Sequence, residues 1–169
     1  MIINVNKISE KGVSFNDIVD IDPNQLIEEE SYFAEGVNYQ ILFRRENNRI
    51  RAQGKIRTTI SVVCVRCLEH FDFKINSRFD VLLFPIKMME QKSSALNPDD
   101  LEYIFYEEDQ IDINKILVEQ VNLFLPNNPA CSPRCKGICP NCGTNLNHET
   151  CKCEPPQNEI KFVFGKSKR

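Results

Sequence analysis

The sequence has no run of apolar residues approaching the roughly 20 needed to cross a bilayer. Its first residues, Met1-Ile2-Ile3-Asn4-Val5, lack the basic start and long apolar stretch of a secretory signal. Both absences argue against membrane insertion and secretion, and the expectation is a cytoplasmic protein. There is no G-x-G-x-x-G and no glycine-rich phosphate loop, so no nucleotide site is signalled. Histidine is scarce: only His70 and His148 occur. His148 is followed directly by Glu149, and Pro140 lies inside a C-x-x-C rather than before it. The H-x-E plus P-C-x-x-C order of zinc deaminases is therefore missing. No Ser-His-Asp arrangement suggests itself. The chain is expected not to be an enzyme and to take no small-molecule substrate. Internal repeats and low-complexity tracts are also lacking, which removes repeat architectures.

What the sequence has in plenty is cysteine, eight among 169 residues. Six fall within 23 residues, as C-S-P-R-C-K-G-I-C-P-N-C-G-T-N-L-N-H-E-T-C-K-C from Cys131 to Cys153. Cys64 and Cys67 form another C-x-x-C far upstream. In a reducing compartment such pairs read as metal or redox sites rather than a disulfide frame. A C-P-x-C-G step sets two thiolates three positions apart beside turn-forming residues, which suits a tetrahedral zinc ion. Spacing favours Cys139, Cys142, Cys151 and Cys153 as one set, since the loop between the two pairs is long enough to close on itself. A second set of Cys64, Cys67, Cys131 and Cys135 would fasten the C-terminal module to the body. One or two zinc ions per chain are expected.

Other readings of the cysteines compete. One draws Cys131 or Cys135 into the C-terminal set and leaves Cys64 and Cys67 metal-free. Another makes Cys64 and Cys67 inert core thiols. A third makes them a redox dithiol, with Arg66 stabilising a thiolate. Reactive pairs usually open a helix, however, and this pair falls between two extended runs. His70 and His148 are expected to face water or cap turns rather than bind metal. Coordination by cysteine alone leaves no position for a zinc-bound water, which again argues against catalysis.

The fold class expected is α+β. An antiparallel β-meander forms a partly closed, β-rich body over residues 1–126, with one covering helix at about 112–125. A small zinc-knuckle module follows at 127–155, then a basic tail at 156–169. Asn47-Asn48 suits a two-residue hairpin turn. It pairs Arg45 with Ile50, Phe43 with Ala52, Ile41 with Gly54 and Tyr39 with Ile56 on one largely apolar face. Gln40, Leu42, Arg44 and Glu46 then oppose Lys55, Gln53, Arg51 and Arg49 on the other. A one-residue slip would scramble both faces. After C-V-R-C a third strand alternates, with Phe71, Phe73, Ile75, Phe79, Val81 and Leu83 inward. Residues 86–102 read as an irregular excursion and Tyr103–Tyr106 as a further strand. Asp112 caps the helix, and Ile113, Ile116, Leu117, Val121 and Phe124 recur at helical spacing. Earlier in the chain, Met1–Val5 reads as a short strand and Asp22-Pro23 as a helix start.

C-x-R-C-L at 64–68, the acidic stretch running into I-D-I-N-K-I-L-V-E-Q-V-N-L-F-L-P, and C-K-G-I-C-P-x-C-G-x-N-L-N-x-x-x-C-x-C together resemble the YceD-like family. These are the large ribosomal RNA subunit accumulation proteins of bacteria and plastids. The resemblance covers roughly residues 40–155. It implies a role in accumulating or processing large-subunit rRNA, and it carries over no catalytic residue.

The charge pattern fits such a role. The net charge is −3, with −7 over residues 1–130 and +4 over 131–169. Arg49, Arg51, Lys55 and Arg57 alternate along one strand face, about 7 Å apart, a spacing able to follow a phosphate backbone. Arg134, Lys136 and Lys152 lie beside the C-terminal cysteines. The plain alternative is an ordinary solvated sheet face. The acidic runs Glu28–Glu30 and Glu107–Asp109 would instead suit a basic ribosomal protein. The expected function is a ribosome-assembly factor promoting accumulation or processing of large-subunit (23S) rRNA. Its expected partners are that rRNA or its precursor, a ribosomal protein, or both. The rival is a redox-switched chaperone that releases zinc on oxidation.

Overall fold

The computed structural model describes residues 1–28, 30–88 and 103–153. The expected basic tail at 156–169 lies outside them. So does the excursion at 86–102, apart from a 3-10 turn at Ile86–Met88.

The sheet is built around one hairpin. Asn47 takes φ +54°, which asparagine tolerates, and turns β4 (Val37–Glu46) into β5 (Arg49–Val63). The register is Arg45 with Ile50, Phe43 with Ala52, Ile41 with Gly54 and Tyr39 with Ile56, as the alternation predicts. Phe43, Ala52, Ile56 and Ile60 are buried on the inner face, while Gln40, Arg44, Lys55 and Arg57 are exposed on the outer one. Arg45 sits on the inner side because its guanidinium has partners there. It donates to the carbonyl oxygens of Val5 (2.6 Å) and Ile8 (3.1 Å), tying the N-terminal segment to the hairpin.

β6 (His70–Pro85) pairs antiparallel with β5 from Ile50 opposite Leu83 to Val63 opposite His70. Gly54 lies opposite Phe79, and a Cβ at Gly54 would meet the Phe79 ring at 2.5 Å and the Gln40 carbonyl oxygen at 2.9 Å. Gly54→Ala is therefore expected to destabilise the protein by about 1–3 kcal/mol, the usual cost of overpacking. Thermal melting would show it. An unchanged midpoint would mean that Phe79 has somewhere else to go.

Two strands carry no clear sequence signal. β2 (Val13–Val19) pairs antiparallel with β4, and β3 (Tyr32–Phe33) continues the same edge along β5. In β2 the polar Asp17 falls opposite the inward Tyr39, so alternation is broken. Asp22-Pro23 opens only a 3-10 turn, Pro23–Gln25, not a helix. The Leu26 N–H closes back on the Pro23 carbonyl, and the next residue, Ile27, is 72% exposed, so no apolar stripe continues.

β7 (Tyr103–Tyr106) corrects the meander. It joins the far edge of β6 in parallel, Leu82 opposite Tyr103 and Pro85 opposite Tyr106. A parallel neighbour needs a crossover of a dozen or so residues, and the chain between 88 and 103 supplies that length. β8 (Gln110–Asp112) pairs with β1 (Ile2–Asn4) in a separate two-stranded ribbon.

α1 spans Ile113–Phe124, and the Asp112 side chain accepts the Asn114 N–H at 3.0 Å. Ile113, Ile116, Leu117 and Val121 are buried and share one core with the inner faces of β4, β5 and β6. Asn122 accepts the Ile27 N–H and donates to the Gln25 carbonyl, which docks the 3-10 turn onto the helix. The described residues are thus mostly sheet with one helix, an α+β fold.

Candidate metal centres and cationic sheet face

β5 ends where the chain must turn around Cys64. The Cys64 N–H bonds the Glu69 carbonyl at 2.9 Å, the Leu68 N–H bonds the Cys64 carbonyl at 2.9 Å, and Leu68 takes φ +59°. This tight loop holds Cys64 and Cys67 buried, with Arg66 between them. The segment after α1 returns to it. The Val65 N–H bonds the Pro129 carbonyl at 2.9 Å, and the Cys131 N–H points at the Cys64 sulfur at 3.4 Å. Cys64 Sγ lies 3.8 Å from Cys135 Sγ, and Cys67 Sγ lies 3.7 Å from Cys131 Sγ. All four sulfurs fall within 4.8 Å of one another.

A second set forms farther along. Cys139, Cys142, Cys151 and Cys153 also have sulfurs within 4.8 Å of one another. The Cys139 N–H bonds the Thr144 carbonyl at 2.8 Å, and the Gly143 N–H bonds the Cys139 carbonyl at 2.9 Å. Those bonds shape the C-P-N-C-G turn. The two sets are joined through Arg66 and Gly137. Gly137 has φ +76°, and a Cβ there would lie 3.0 Å from the Arg66 carbonyl oxygen. That oxygen accepts the Ile138 N–H at 3.0 Å. A side chain at Gly137 would crowd this contact.

The sulfur spacing is a test of what the first set can hold. Disulfide sulfurs sit about 2.0 Å apart. Four thiolates at about 2.3 Å from a zinc ion stand about 3.8 Å from one another along each tetrahedral edge. The observed 3.7 and 3.8 Å match the second figure. Cys131 and Cys135 accompany Cys67 and Cys64, so the grouping that leaves the upstream pair alone is not the one the fold assembles. Two sets of four that can hold metal ions are present among the described residues.

The thiol ionisation shows the same geometry. Burial opposes ionisation of Cys64, but N–H donors from Cys131, Cys67 and Arg66 outweigh it and bring the thiol down to about 6. Hydrogen bonding from Thr144 brings Cys142 down to about 6. Their neighbours go the other way. Cys131 is pushed up to about 12 by Cys135 and by burial, and Cys153 to about 12 by Cys142 and by burial. Four thiolates packed this closely cannot all ionise without a cation between them.

Neither histidine belongs to either set. His148 Nε2 lies 3.0 Å from a Glu69 carboxylate oxygen, which ties the C-terminal segment to the loop after Cys67. His70 Nδ1 faces Ser61 Oγ at 3.4 Å, and its ring lies beside Tyr32.

The expected row of cations divides in two. Arg51 makes paired hydrogen bonds of 2.8 and 2.9 Å to Asp80, and Arg49 reaches Glu46 at 3.4 Å. The Arg51 contact holds the Asp80 carboxyl below the usual carboxylate range. Lys55 and Arg57 enter no ion pair among the described residues and stand opposite Arg78 and Asn76. Arg134 and Lys136 are exposed beside the cysteines, with the Lys136 N–H bonded to Asn147 Oδ1 at 2.8 Å. Lys74 and Arg78, which the alternation of the third strand already turns outward, are exposed on that face. Sequence reasoning missed their place beside the β5 cations, which the strand register could have shown, since it sets Arg78 across from Lys55.

The family described as "Large ribosomal RNA subunit accumulation protein YceD" matches residues 52–162, which include all eight cysteines. The chain belongs to the YceD family. Among its relatives is "Large ribosomal RNA subunit accumulation protein YCED homolog 1, chloroplastic" of Zea mays, 29% identical over 155 residues, 71% of this chain and 50% of that protein. The Arabidopsis thaliana protein of the same name is 30% identical over 131 residues, 64% of this chain and 41% of its own length. An uncharacterized protein of Mycobacterium tuberculosis is 29% identical over 86 residues, 51% of this chain and 40% of its own length. The chain therefore spans half or less of the length of these relatives. No solved structure matches it. The family name supports a ribosome-related role. No helix among the described residues is long and apolar enough to cross a membrane.

Proposed function

We propose that this chain is a non-enzymatic ribosome-assembly factor that promotes accumulation or processing of large-subunit rRNA by binding that rRNA, a ribosomal protein, or both. In this reading residues 1–126 are a recognition body. Residues 127–155 are a zinc-knuckle module with two zinc ions, one of which, held by Cys64, Cys67, Cys131 and Cys135, fixes it to the body. The other is held by Cys139, Cys142, Cys151 and Cys153. The observation that carries the reading is the pairing of Cys64 and Cys67, at the end of β5, with Cys131 and Cys135, more than sixty residues later. A chelate of that kind fixes two surfaces relative to one another. Four sulfur ligands fill the tetrahedron, so each ion is structural and has no open position for substrate. Thiols must stay reduced to serve, which supports a reducing compartment, and we propose the cytoplasm.

The test is made in cells. Depleting the protein should lower large-subunit rRNA relative to small-subunit rRNA, measured by quantitative blotting. Ultraviolet crosslinking and sequencing of the bound RNA should return large-subunit sequences. Normal rRNA levels on depletion would remove the proposal. Lowered rRNA with no crosslink would leave a ribosomal protein as the partner.

A further inference from the structure

β5 and β6 gather four cations on the outer face of the sheet that enter no ion pair among the described residues. We infer that this face is a track for single-stranded RNA, holding phosphates on Lys55, Arg57, Lys74 and Arg78 and stacking a base on Tyr32. The inference rests on the rRNA reading above and names its surface.

Lys55 stands opposite Arg78, Arg57 opposite Asn76, and Lys74 opposite Thr59. All four cations are exposed. Like charges directly across an antiparallel pair are destabilising, so the Lys55–Arg78 pairing favours an anion bound between them. The neighbouring acids are already engaged or stand at the margin. Asp80 accepts two bonds from Arg51 and one from Gln53, and Glu35 accepts the Thr59 hydroxyl at 2.6 Å. Asp72, next to Lys74 on the same face, stands in the row of Ser61 and Tyr32, beyond the last of the four cations. Neutral amides surround the cations. Asn38, Gln40 and Asn76 line a shallow hollow of about 270 Å³ together with Lys55 and Arg57. Gln40 and Lys55 also border a larger groove of about 720 Å³, which reaches Arg78. Cations with interleaved amides suit phosphate contacts and base edges alike.

At the end of the strip nearest the first cysteine set, Tyr32 stands opposite Ser61 and is 46% exposed. Its ring lies 5.6 Å from that of His70, tilted by 47°. Exposed rings on a polar sheet face are platforms on which bases of any identity stack. Outward side chains recur about every 7 Å along a strand, so cations and ring, carried by three neighbouring strands, succeed one another row by row from Lys55 and Arg78 to Tyr32. A duplex keeps its bases covered, whereas a single strand can offer both phosphates and an unstacked base. The partner chosen by this surface is single-stranded RNA.

The experiment uses the full chain and a labelled oligo(U) of about twelve nucleotides, within the site sizes of single-strand binders. A hairpin duplex of equal length is the comparison. Anisotropy is followed through a salt series, and each variant's fold is checked by circular dichroism and melting. The wild type should prefer the single strand. Lys55→Gln/Arg57→Gln/Lys74→Gln/Arg78→Gln should flatten the salt slope by about 0.7 per lost contact and weaken binding at least tenfold. Tyr32→Ala should weaken binding roughly tenfold with the slope unchanged, and Tyr32→Phe should restore it. Lys7→Gln/Lys115→Gln, off this face, should change neither. A quadruple variant that binds oligo(U) with wild-type affinity and slope would overturn the inference. If that variant still failed to support rRNA accumulation in cells, the face would belong to a protein partner and the proposed function would stand. Normal rRNA in cells lacking the protein would instead remove the function and leave the oligo(U) result to judge the surface alone.

Discussion

Replacing Cys67 with serine is expected to remove one zinc ion per chain and to free the segment around Cys131 from the end of β5. Few other contacts hold that segment. Two backbone hydrogen bonds, Val65 to Pro129 and Ile138 to Arg66, two long bonds of 3.4 Å from the Arg66 guanidinium to the Pro133 and Cys135 carbonyls, and the exposed His148–Glu69 contact accompany the cysteines. The apolar burial there is limited to Cys64, Cys67 and Cys135 with Phe71 and Ala130 against them. Structural zinc contributes about 10–16 kcal/mol of apparent binding free energy per site, far more than such contacts provide. Metal analysis after purification without added zinc should give two ions for the wild type and one for Cys67→Ser. Amide exchange should rise across residues 127–138 and stay low in the core strands. Cys142→Ser should remove the other ion and loosen residues 139–153, leaving the first set in place. An unchanged zinc count in Cys67→Ser would mean that Cys64 and Cys67 are only buried thiols, and the stapling role would be lost.

Phe43→Ala should unfold the body rather than the cysteine-rich segment. Phe43 is fully buried at the centre of β4 and meets Phe15 edge-on at 6.0 Å between ring centres. Truncating a core phenylalanine costs about 3–5 kcal/mol. For a chain of this size each kcal/mol lowers the melting midpoint by about 2–4 °C, so a drop of roughly 10 °C is expected. Zinc content should be retained below that midpoint, because neither cysteine set touches Phe43. A melting midpoint within a degree or two of wild type would show that Phe15 and its neighbours collapse into the space. The two experiments together separate metal-dependent folding from core-dependent folding.

How legible these features were depended on how local their causes are. The β4–β5 hairpin could be read residue by residue, because a side-chain period of two sets Tyr39, Ile41 and Phe43 on one buried face and the two-residue Asn47-Asn48 turn fixes the register. The helix was equally clear, since Asp112 and five apolar residues at helical spacing, four of them fully buried, state both its start and its buried face. β2 was not, because Asp17 interrupts its inward positions and only β4 supplies its hydrogen bonds. The parallel placement of β7 was also hidden. Strand direction is set by the path of the intervening chain, and the four residues Tyr103–Tyr106 carry no mark of it.

By itself the sequence determined the ligand chemistry and the alternating faces. Eight thiols in chelating pairs, one apolar sheet face and one cationic outer row follow from residue type and spacing, which act over a few positions. Only the tertiary structure decided which distant groups meet. It set Cys64 beside Cys135 and Cys67 beside Cys131, it engaged Arg49 and Arg51 with Glu46 and Asp80, and it left Lys55 and Arg57 facing Arg78 and Asn76. The reason is physical. Metal chelation and ion pairing act over a few ångströms in space, and the approach of residues sixty or more positions apart is fixed by packing of the whole sheet and helix.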